Sequence, residues 1–215
     1  MRKAFTFAPM KLFISGTDTD AGKTLCSAII SYALEADYWK PIQTGTRIDS
    51  DRGWIEGLQL GIKTHPEAYE FTEPVSPHYA AALENSEIDL DSITLPESNK
   101  LVIEGAGGLL VPINQDQTLV DLIRRLETPV VLVSRHKLGS INHSLLSLHL
   151  LKQFNIPVFG VLYSGNPIGD TEDIIHQFHK VPNLGRIPET ESIKGEFIKN
   201  QGLKLRAAWR EKGLI

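Results

Sequence analysis

The chain has 215 residues, of which 41% are hydrophobic, and this size suits one domain with a substantial core. Its formal net charge of −4 offers no basic surface to nucleic acid, so we expect no nucleic-acid partner. The single cysteine, Cys26, excludes an internal disulfide and favours a reducing, cytoplasmic location. We expect its thiol to be a small core group rather than a nucleophile.

Two further features of the sequence lead us to expect neither a membrane span nor a signal peptide. No apolar run approaches the roughly 18–20 residues that cross a bilayer. The first nine residues carry one basic pair but no long apolar segment, so they do not resemble a signal peptide. Because Met10 directly precedes the first predicted strand, we expect residues 1–9 to be either an upstream translation start or a loose leader, and residues 10–215 to form the domain.

Strand-like apolar runs alternate with helical patterns along the chain. The predicted strands are Lys11–Ser15, Tyr38–Ile42, Lys100–Glu104, Pro129–Ser134, Pro157–Tyr163 and Asn183–Ile187. The predicted helices are Gly22–Asp37, Asp51–Leu60, Pro77–Leu83, Leu119–Leu126, Ser140–Phe154, Asp170–His179 and a last helix from Glu191. Residues 61–99 contain four prolines and are the least regular part.

The strands read as continuous apolar runs, such as LVIE and VVLVS, which are typical of a parallel sheet buried on both faces. We therefore predict a single α/β domain with a doubly wound, mostly parallel sheet. In such a domain, ligands bind at the carboxyl ends of the strands.

The segment GTDTDAGKT follows the first predicted strand and opens the first helix. Backbone N–H groups of such a loop bind phosphate, with Gly22 allowing close approach and Lys23 supplying positive charge. The hydroxyl group of Thr24 is a candidate Mg²⁺ ligand. The usual pattern has glycine where this chain has Thr17, and the glycine here lies one residue earlier. We interpret the segment as a nucleotide-binding loop in a fold of the P-loop NTPase type, against the alternative of an ordinary strand-to-helix turn.

An acidic residue, Glu104, stands at the tip of the third predicted strand and is followed by Gly105, Ala106 and Gly107. At this position P-loop enzymes hold Mg²⁺, directly or through water. The small residues let the backbone pass close to phosphate or substrate. The alternative is a tight turn with a solvated glutamate, but the upstream loop favours the metal ligand.

A second lysine, Lys40, ends the second predicted strand, and Thr44 follows it with a hydroxyl group that donates or accepts. Two cations at one sheet edge suit the spread negative charge of phosphoryl transfer. The alternative for Lys40 is a surface lysine with a solvated ammonium group. Asp51 begins a predicted helix, where a carboxylate also complements the helix dipole. Composition does not separate Asp51 from Asp49 as a metal ligand.

The segment RHKLGSINH follows the fourth predicted strand and opens a helix. Free N–H groups of Gly139, Ser140, Ile141 and Asn142 would form an anion site that suits a carboxylate. The alternative is an ordinary helix start capped by the Ser140 side chain. The histidines show no metal-ligand spacing, and we expect them to be structural or exposed.

These motifs together resemble the dethiobiotin synthetase family, the ATP-dependent enzymes of biotin synthesis. The segments that carry the resemblance are, in family order, GTDTDAGKT, KPIQTG, DSD, EPVSPH, VIEGAGGLLVPI, KLGSINH and LGRIP. They span residues 11–190, and their order and spacing are highly specific. The last 25 residues carry little of the resemblance.

The resemblance implies a homodimer that uses ATP and Mg²⁺ to join CO₂, drawn from bicarbonate, to 7,8-diaminopelargonate through a carbamate and a carbamic–phosphoric anhydride. It implies catalytic roles for Lys40, Lys23 and Thr19, and metal-binding roles for Thr24, Asp51 and Glu104. The implied nucleotide contacts are Asp20, Ala21, Gly22, Lys23, Thr24, Leu25, Asp51, Glu104, Gly105, Ala106, Gly107 and Pro188. The implied substrate contacts are Thr44 and, from the partner subunit near the dimer interface, Gly139, Ser140, Ile141 and Asn142.

The sequence departs from the family pattern at two places. The family usually has an asparagine at the adenine after the fifth strand, where an ungapped reading puts Ser164, with Asn166 two residues later. Base preference therefore stays open between these two residues. Arg135 and His136 replace small apolar residues before KLG and are expected to alter the rim of the dimer or substrate site.

Two rival functions share parts of the same pattern. Another P-loop ligase, one that activates a carboxylate for amidation, would share Lys23, Thr24 and Glu104 but normally brings a glutaminase domain, for which this chain has no room. A partition-type switch ATPase would share the loop but usually carries a lysine where Asp18 stands. We expect a small diamine with bicarbonate to stimulate nucleotide hydrolysis by the synthetase, and a protein or lipid surface to stimulate the switch.

Overall fold

The computed structural model describes residues 10–46 and 50–215. The predicted leader, residues 1–9, and the alternative metal ligand Asp49 lie outside these residues. The strands are β1 (Met10–Gly16), β2 (Asp37–Trp39), β3 (Ile42–Thr44), β4 (Thr64–His65), β5 (Tyr69–Phe71), β6 (Lys100–Gly108), β7 (Val130–Arg135), β8 (Val158–Ser164) and β9 (Asn183–Ile187). The helices are α1 (Lys23–Leu34), α2 (Asp51–Gly57), α3 (Pro77–Leu83), α4 (Leu119–Leu126), α5 (Ser140–Gln153), α6 (Thr171–Phe178) and α7 (Gly195–Glu211).

Seven parallel strands form the main sheet in the order β4, β2, β6, β1, β7, β8, β9, and β3 pairs with β5 in a small parallel sheet. Strand β1 lies at the centre, so the chain winds outward from it in both directions. This arrangement confirms the predicted doubly wound, parallel α/β domain. It brings the carboxyl ends of β1, β2 and β6 side by side, and with them the residues that follow these strands.

Alternating residues of the central strands pack on opposite faces of the sheet. Leu12 and Ile14 of β1 join a core cluster with residues of α1 and α7, whereas Phe13 joins a second cluster with residues of α3 and α4. Because each face of the sheet is covered, neighbouring positions are both apolar, which explains the continuous runs in the sequence. No helix in the described part of the chain has the length and apolar character needed to cross a membrane.

The prediction of a single strand over Tyr38–Ile42 is wrong. The chain leaves the main sheet after Trp39, and at Ile42 it begins β3, which belongs to the small sheet. Pro41 lies at this break, and a proline has no N–H group to donate to a ladder. The irregular residues 61–99 nevertheless contain β4, β5 and α3. The last helix begins at Gly195 rather than at Glu191.

Candidate active site

The loop between β1 and α1 folds back over the start of the helix. Gly22 caps α1 in a left-handed conformation with φ of 87°. The ammonium group of Lys23 donates to the carbonyl oxygens of Asp18, at 3.1 Å, and Thr19, at 3.0 Å. A Cβ at Gly16 would lie 2.6 Å from the Asp18 carbonyl oxygen, so glycine is required one residue before the usual position. The loop thus arches tightly around the lysine that the sequence analysis assigned to phosphate.

Four residues that are distant in sequence, Thr24, Lys40, Asp51 and Glu104, meet beside this loop, and we call them the carboxylate cluster. The Thr24 hydroxyl group lies 2.6 Å from Asp51 Oδ1 and 2.8 Å from Glu104 Oε1. The Lys40 ammonium group forms an ion pair with Asp51 Oδ2 and lies 3.6 Å from Glu104 Oε1. Each of the two carboxylates, Asp51 and Glu104, therefore contacts both Thr24 and Lys40.

The sheet order explains why these residues converge. Lys40 directly follows β2, Glu104 lies in the adjacent β6, and Thr24 lies in the first turn of α1, which follows the next strand, β1. Asp51 is the first residue of α2, where its backbone N–H donates to Gln43 Oε1 at 3.1 Å. Parallel strands end at one edge, so residues at their carboxyl ends share one site.

Burial and charge act in opposite directions on the ionisable groups of the cluster. Burial alone would lower the pKa of Lys40, but the attraction of Glu104 and Asp51 outweighs it and raises that pKa above its usual value. Burial would raise the pKa of Asp51, and the Lys40 ammonium group reverses that shift and lowers it. Lys40 and Asp51 are therefore charged at neutral pH.

In contrast to that of Lys40, the pKa of Lys23 is lowered below its usual value. Burial lowers its pKa, and although Glu104 and Asp51 attract its charge, the neighbouring Lys40 repels it. An anion with several negative charges placed between the two ammonium groups would relieve this repulsion. The phosphates of a nucleotide are such an anion.

The carboxylate cluster offers the hard oxygen donors that Mg²⁺ prefers, namely one hydroxyl group and two carboxylates. Within residues 10–46 and 50–215, no group of three or more His, Cys, Asp and Glu side chains converges in the manner of an all-protein metal cage. Mg²⁺ in nucleotide enzymes typically takes one or two carboxylates and completes its shell with phosphate oxygens and water. Thr24, Asp51 and Glu104 fit that mode.

The small residues after Glu104 belong to the end of β6. A Cβ at Gly105 would stand 2.8 Å from both Phe13 Cε1 and Leu119 Cδ2, so this glycine is required for packing between the sheet and α4. The sequence analysis attributed the same glycine to close approach of phosphate or substrate. The structure thus adds a packing role, and Ala106 and Gly107 continue the strand edge beyond it.

At the predicted carboxylate site, Gly139 is the N-cap of α5, with φ of 92°, and no side chain caps the helix. The alternative in which Ser140 caps the helix is therefore wrong, since Ser140 is the first helical residue and is buried. Its N–H group donates to the Lys137 carbonyl oxygen at 3.0 Å, so it is not free as expected. Ile141 and Asn142 follow in the first turn, and the preceding Leu138 side chain is fully exposed, at 100%.

The segment before α5 also contacts the phosphate loop. The Lys137 ammonium group forms an ion pair with Asp18 Oδ2, and both side chains are about two-fifths exposed. The hydrogen bond from Lys137 lowers the pKa of Asp18, and a smaller lowering comes from the Thr19 N–H group, which donates to Asp18 Oδ1. The Arg135 guanidinium group reaches the Asp20 carbonyl oxygen at 3.5 Å. The loop and the start of α5 are thereby joined.

Ser164 and Asn166, the two candidates for base contact, have different surroundings. The Ser164 hydroxyl group is buried and donates to the Ala21 carbonyl oxygen at 2.8 Å, so it supports the phosphate loop. Asn166 is exposed, and its amide donates to Glu189 Oε2 at 2.9 Å. Pro188, a predicted nucleotide contact, directly precedes Glu189 after β9. We call Ser164, Asn166, Pro188 and Glu189 the base end.

The remaining predicted site residues have different surroundings. Thr44 is the last residue of β3, and Asp20 is exposed on the phosphate loop. Leu25 packs against the core cluster of α1. His136, a departure from the family pattern, is buried, contacts Glu172 Oε1 through Nε2 at 3.0 Å and stacks on Tyr163. It therefore acts inside the fold rather than at the rim.

Sequence reasoning missed three residues that contact the site. Gln43 holds the start of α2, Lys137 binds Asp18, and the buried hydroxyl group of Tyr38 donates to Glu104 Oε2 at 3.0 Å. Burial and the nearby Glu104 raise the pKa of Tyr38 well above its usual value, so its hydroxyl group stays protonated. Gln43 and Lys137 lie within recognised motifs, whereas Tyr38 lies in an apolar strand with no signal of its own.

The buried thiol of Cys26 agrees with the predicted core role, because burial raises its pKa to about 12. A thiol with that pKa carries almost no thiolate at neutral pH.

Comparison with solved structures identifies relatives of the fold. A plasmid partition protein from Borrelia burgdorferi superposes with a TM-score of 0.57 and 14% identity, covering 94% of this chain and 99% of that one. The cell division ATPase MinD of Pyrococcus furiosus gives a TM-score of 0.51 and 15% identity, covering 96% of this chain and 100% of that one. At these identities the likeness shows the P-loop NTPase fold alone.

Sequence comparison identifies the family. A family model described as an AAA domain matches residues 10–196. The ATP-dependent dethiobiotin synthetase of Lawsonia intracellularis is 45% identical over 191 residues, which cover 89% of this chain and 94% of that protein. The biotin biosynthesis bifunctional protein of Bordetella avium is 44% identical over 194 residues, and the chain spans 42% of that longer relative. The chain therefore belongs to the AAA domain family and to the ATP-dependent dethiobiotin synthetases, which are cyclo-ligases of biotin biosynthesis.

Proposed function

We propose that the chain uses ATP and Mg²⁺ to convert 7,8-diaminopelargonate and CO₂ into dethiobiotin. The observation that carries the proposal is the convergence of Lys40, Thr24, Asp51 and Glu104 beside the loop that holds Lys23. This arrangement suits phosphoryl transfer, in which catalysis consists mainly of positioning and charge stabilisation. The names of the relatives support ATP as a co-substrate and dethiobiotin as the product.

The proposed reaction has three steps. One amine of the substrate attacks CO₂, loses a proton and becomes a carbamate. A carbamate oxygen then attacks the γ-phosphorus atom of ATP, which breaks the bond to the β-phosphate oxygen and gives a carbamic–phosphoric anhydride and ADP. The second amine attacks the carbamate carbon, loses a proton and expels phosphate, which closes the ureido ring.

We assign the charge-stabilising roles to the two lysines. Lys40 would hold the carbamate and the transferring phosphoryl group, because its ammonium group is buried, charged and at the sheet edge. Lys23 would bind the β- and γ-phosphate oxygens after leaving the two loop carbonyl groups that it contacts. We assign Thr19 to the same reacting region and Thr44 to a hydrogen bond with the substrate.

Thr24, Asp51 and Glu104 would hold Mg²⁺, which when bound neutralises negative charge on the phosphate oxygens. The supporting observation is that the Thr24 hydroxyl group lies 2.6 Å from Asp51 Oδ1 and 2.8 Å from Glu104 Oε1. The nucleotide contacts that the resemblance implied, from Asp20 to Leu25 and from Glu104 to Gly107, belong to the same proposal, as does Pro188.

We propose a homodimer in which the start of α5, residues 139–142, binds the substrate carboxylate of the partner subunit's site. The fully exposed Leu138 supports this assignment, because a second copy would cover it. The buried, single thiol supports the cytoplasm as the compartment.

The test is to incubate the protein with diaminopelargonate, bicarbonate, Mg²⁺ and ATP and to search for the cyclic urea by mass spectrometry. Carbon-13 bicarbonate should raise the product mass by one unit, because a single carbon atom enters the ring. Omission of the diamine should return ATP hydrolysis to its basal rate. Stimulation of hydrolysis by a protein or lipid surface instead, with no cyclic urea, would favour the switch ATPase, and amide formation from a carboxylate would favour the other ligase.

A further inference from the structure

Tyr38 is not part of any motif that pointed to the site, yet it contacts the carboxylate cluster. Its hydroxyl group donates to Glu104 Oε2 at 3.0 Å, and the two residues are 0% and 1% exposed. Resting on the proposed function, we infer that Tyr38 is a positioning residue that fixes the Glu104 carboxylate for a divalent cation.

The strand register holds Tyr38 in this place. Tyr38 pairs with Val102 in the adjacent parallel strand, and Glu104 lies two residues farther along β6. Residues two apart in a strand point to the same face, so Tyr38 and Glu104 share one face of the sheet. The Tyr38 ring packs in the core cluster that includes Val102 and Ile55. Its hydroxyl group therefore has a fixed position, unlike that of an exposed side chain.

The two oxygen atoms of Glu104 have different partners. Oε1 faces the Thr24 hydroxyl group and the Lys40 ammonium group, whereas Oε2 accepts from Tyr38. In the proposed reaction Thr24 and Lys40 turn to the metal and to phosphate, so their contacts with Glu104 change. The Tyr38 contact has no such competing task. It keeps Oε2 away from the site and Oε1 toward it.

Outer partners that orient a metal ligand typically contribute about ten- to a hundredfold in metal affinity or activity. Tyr38→Phe removes one oxygen atom and leaves the ring that packs in the core. Tyr163→Phe is the matched control, because Tyr163 is also buried in a strand and its hydroxyl group contacts His176 at 3.3 Å, outside the carboxylate cluster.

The experiment measures Mn²⁺ binding by the electron paramagnetic resonance of the free ion, with a non-hydrolysable ATP analogue present. We expect Tyr38→Phe to raise the Mn²⁺ dissociation constant about tenfold or more and Tyr163→Phe to leave it within about twofold of the parent. In turnover assays, Tyr38→Phe should need more Mg²⁺ for half-maximal rate and recover most of its kcat at saturating Mg²⁺. A general loss of stability would lower the melting temperature without moving the Mg²⁺ requirement.

Equal Mn²⁺ dissociation constants for the parent and Tyr38→Phe would overturn the inference, and so would an equal weakening in both variants. If Tyr38→Phe instead lowers kcat at all Mg²⁺ concentrations, the residue does not act through the metal site, and the inference also fails. Absence of cyclic urea from the parent protein would refute the proposed function but leave the Mn²⁺ comparison readable, so the two failures are distinguishable.

Discussion

The phosphate end of the sheet edge, at β1, β2 and β6, is built from buried charges, whereas the base end, after β8 and β9, is built largely from exposed polar side chains. At the phosphate end, Lys40 is 8% exposed and Glu104 is 1% exposed, and each is in contact with opposite charge. At the base end, Asn166 and Glu189 are exposed and bond to each other. Of the two candidates for base contact, Ser164 is buried and Asn166 is not. Ser164 faces the phosphate loop.

This difference indicates which residues depend most on their neighbours. A buried charge that loses its partner is costly, so residues of the carboxylate cluster depend on one another. An exposed pair such as Asn166 and Glu189 contributes little to stability and changes at small cost. The departure from the family pattern at the base end, and the match at the phosphate end, agree with this contrast.

The largest expected effect is that of Lys40→Met, which tests the phosphate end. We expect kcat for cyclic urea formation to fall about a hundredfold or more, because removal of one preorganised donor to developing charge costs roughly 3 kcal/mol. Lys199→Met, on the exposed surface of α7, is the matched control and should keep the parent rate. A Lys40→Met protein with a near-normal rate would remove Lys40 from the proposed mechanism.

The next effect separates Ser164 from Asn166, the two candidates for base contact at the base end. Ser164→Ala leaves the Ala21 carbonyl group without its buried donor, so the free energy of unfolding should fall by about 1–3 kcal/mol in urea denaturation. Asn166→Ala should change it by less than about 0.5 kcal/mol. In turnover with ATP, CTP and GTP, Asn166→Ala should alter the ratio of kcat/KM values and Ser164→Ala should not. If Ser164→Ala alters this ratio and Asn166→Ala does not, Ser164 rather than Asn166 contacts the base.

A smaller effect is expected for Lys137→Ala, which removes the link between the phosphate loop and the start of α5. Both side chains of the ion pair with Asp18 are about two-fifths exposed, and such pairs contribute about 0.2–1 kcal/mol, so kcat/KM for ATP should fall by about 1.4- to fivefold. Lys137→Arg should retain most of the parent value, and high salt should reduce the difference between parent and Lys137→Ala. No change in either variant would show that the link does not contribute to turnover.

The smallest expected effect is at Cys26, beneath the phosphate end. With its pKa raised to about 12 and its side chain buried, the thiol should not react with a disulfide reagent in the folded protein at about pH 8. One thiol per chain should react after unfolding in guanidinium. Rapid reaction in the folded state would mean that the first helix opens readily from the sheet.

The alternation of strands and helices and the phosphate loop were predictable from the sequence, because continuous apolar runs and a glycine-rich helix start are local signals. The sequence also singled out Lys40 and Glu104, since each ends a recognisable strand, whereas only the family resemblance separated Asp51 from Asp49. It did not find the break after Trp39, the short strands Thr64–His65 and Tyr69–Phe71, or the start of the last helix. Two- and three-residue strands have too few positions to display a period.

The tertiary structure alone decided which residues touch. The contact of Tyr38 with Glu104 depends on β2 and β6 being neighbours, although 66 positions separate the two residues, and a tyrosine in an apolar strand carries no local sign of it. The assignment of Ser164 to the phosphate loop depends likewise on a contact across 143 positions. Hydrogen bonds act over about 3 Å in space whatever the distance along the chain, so only the folded sheet brings their partners together.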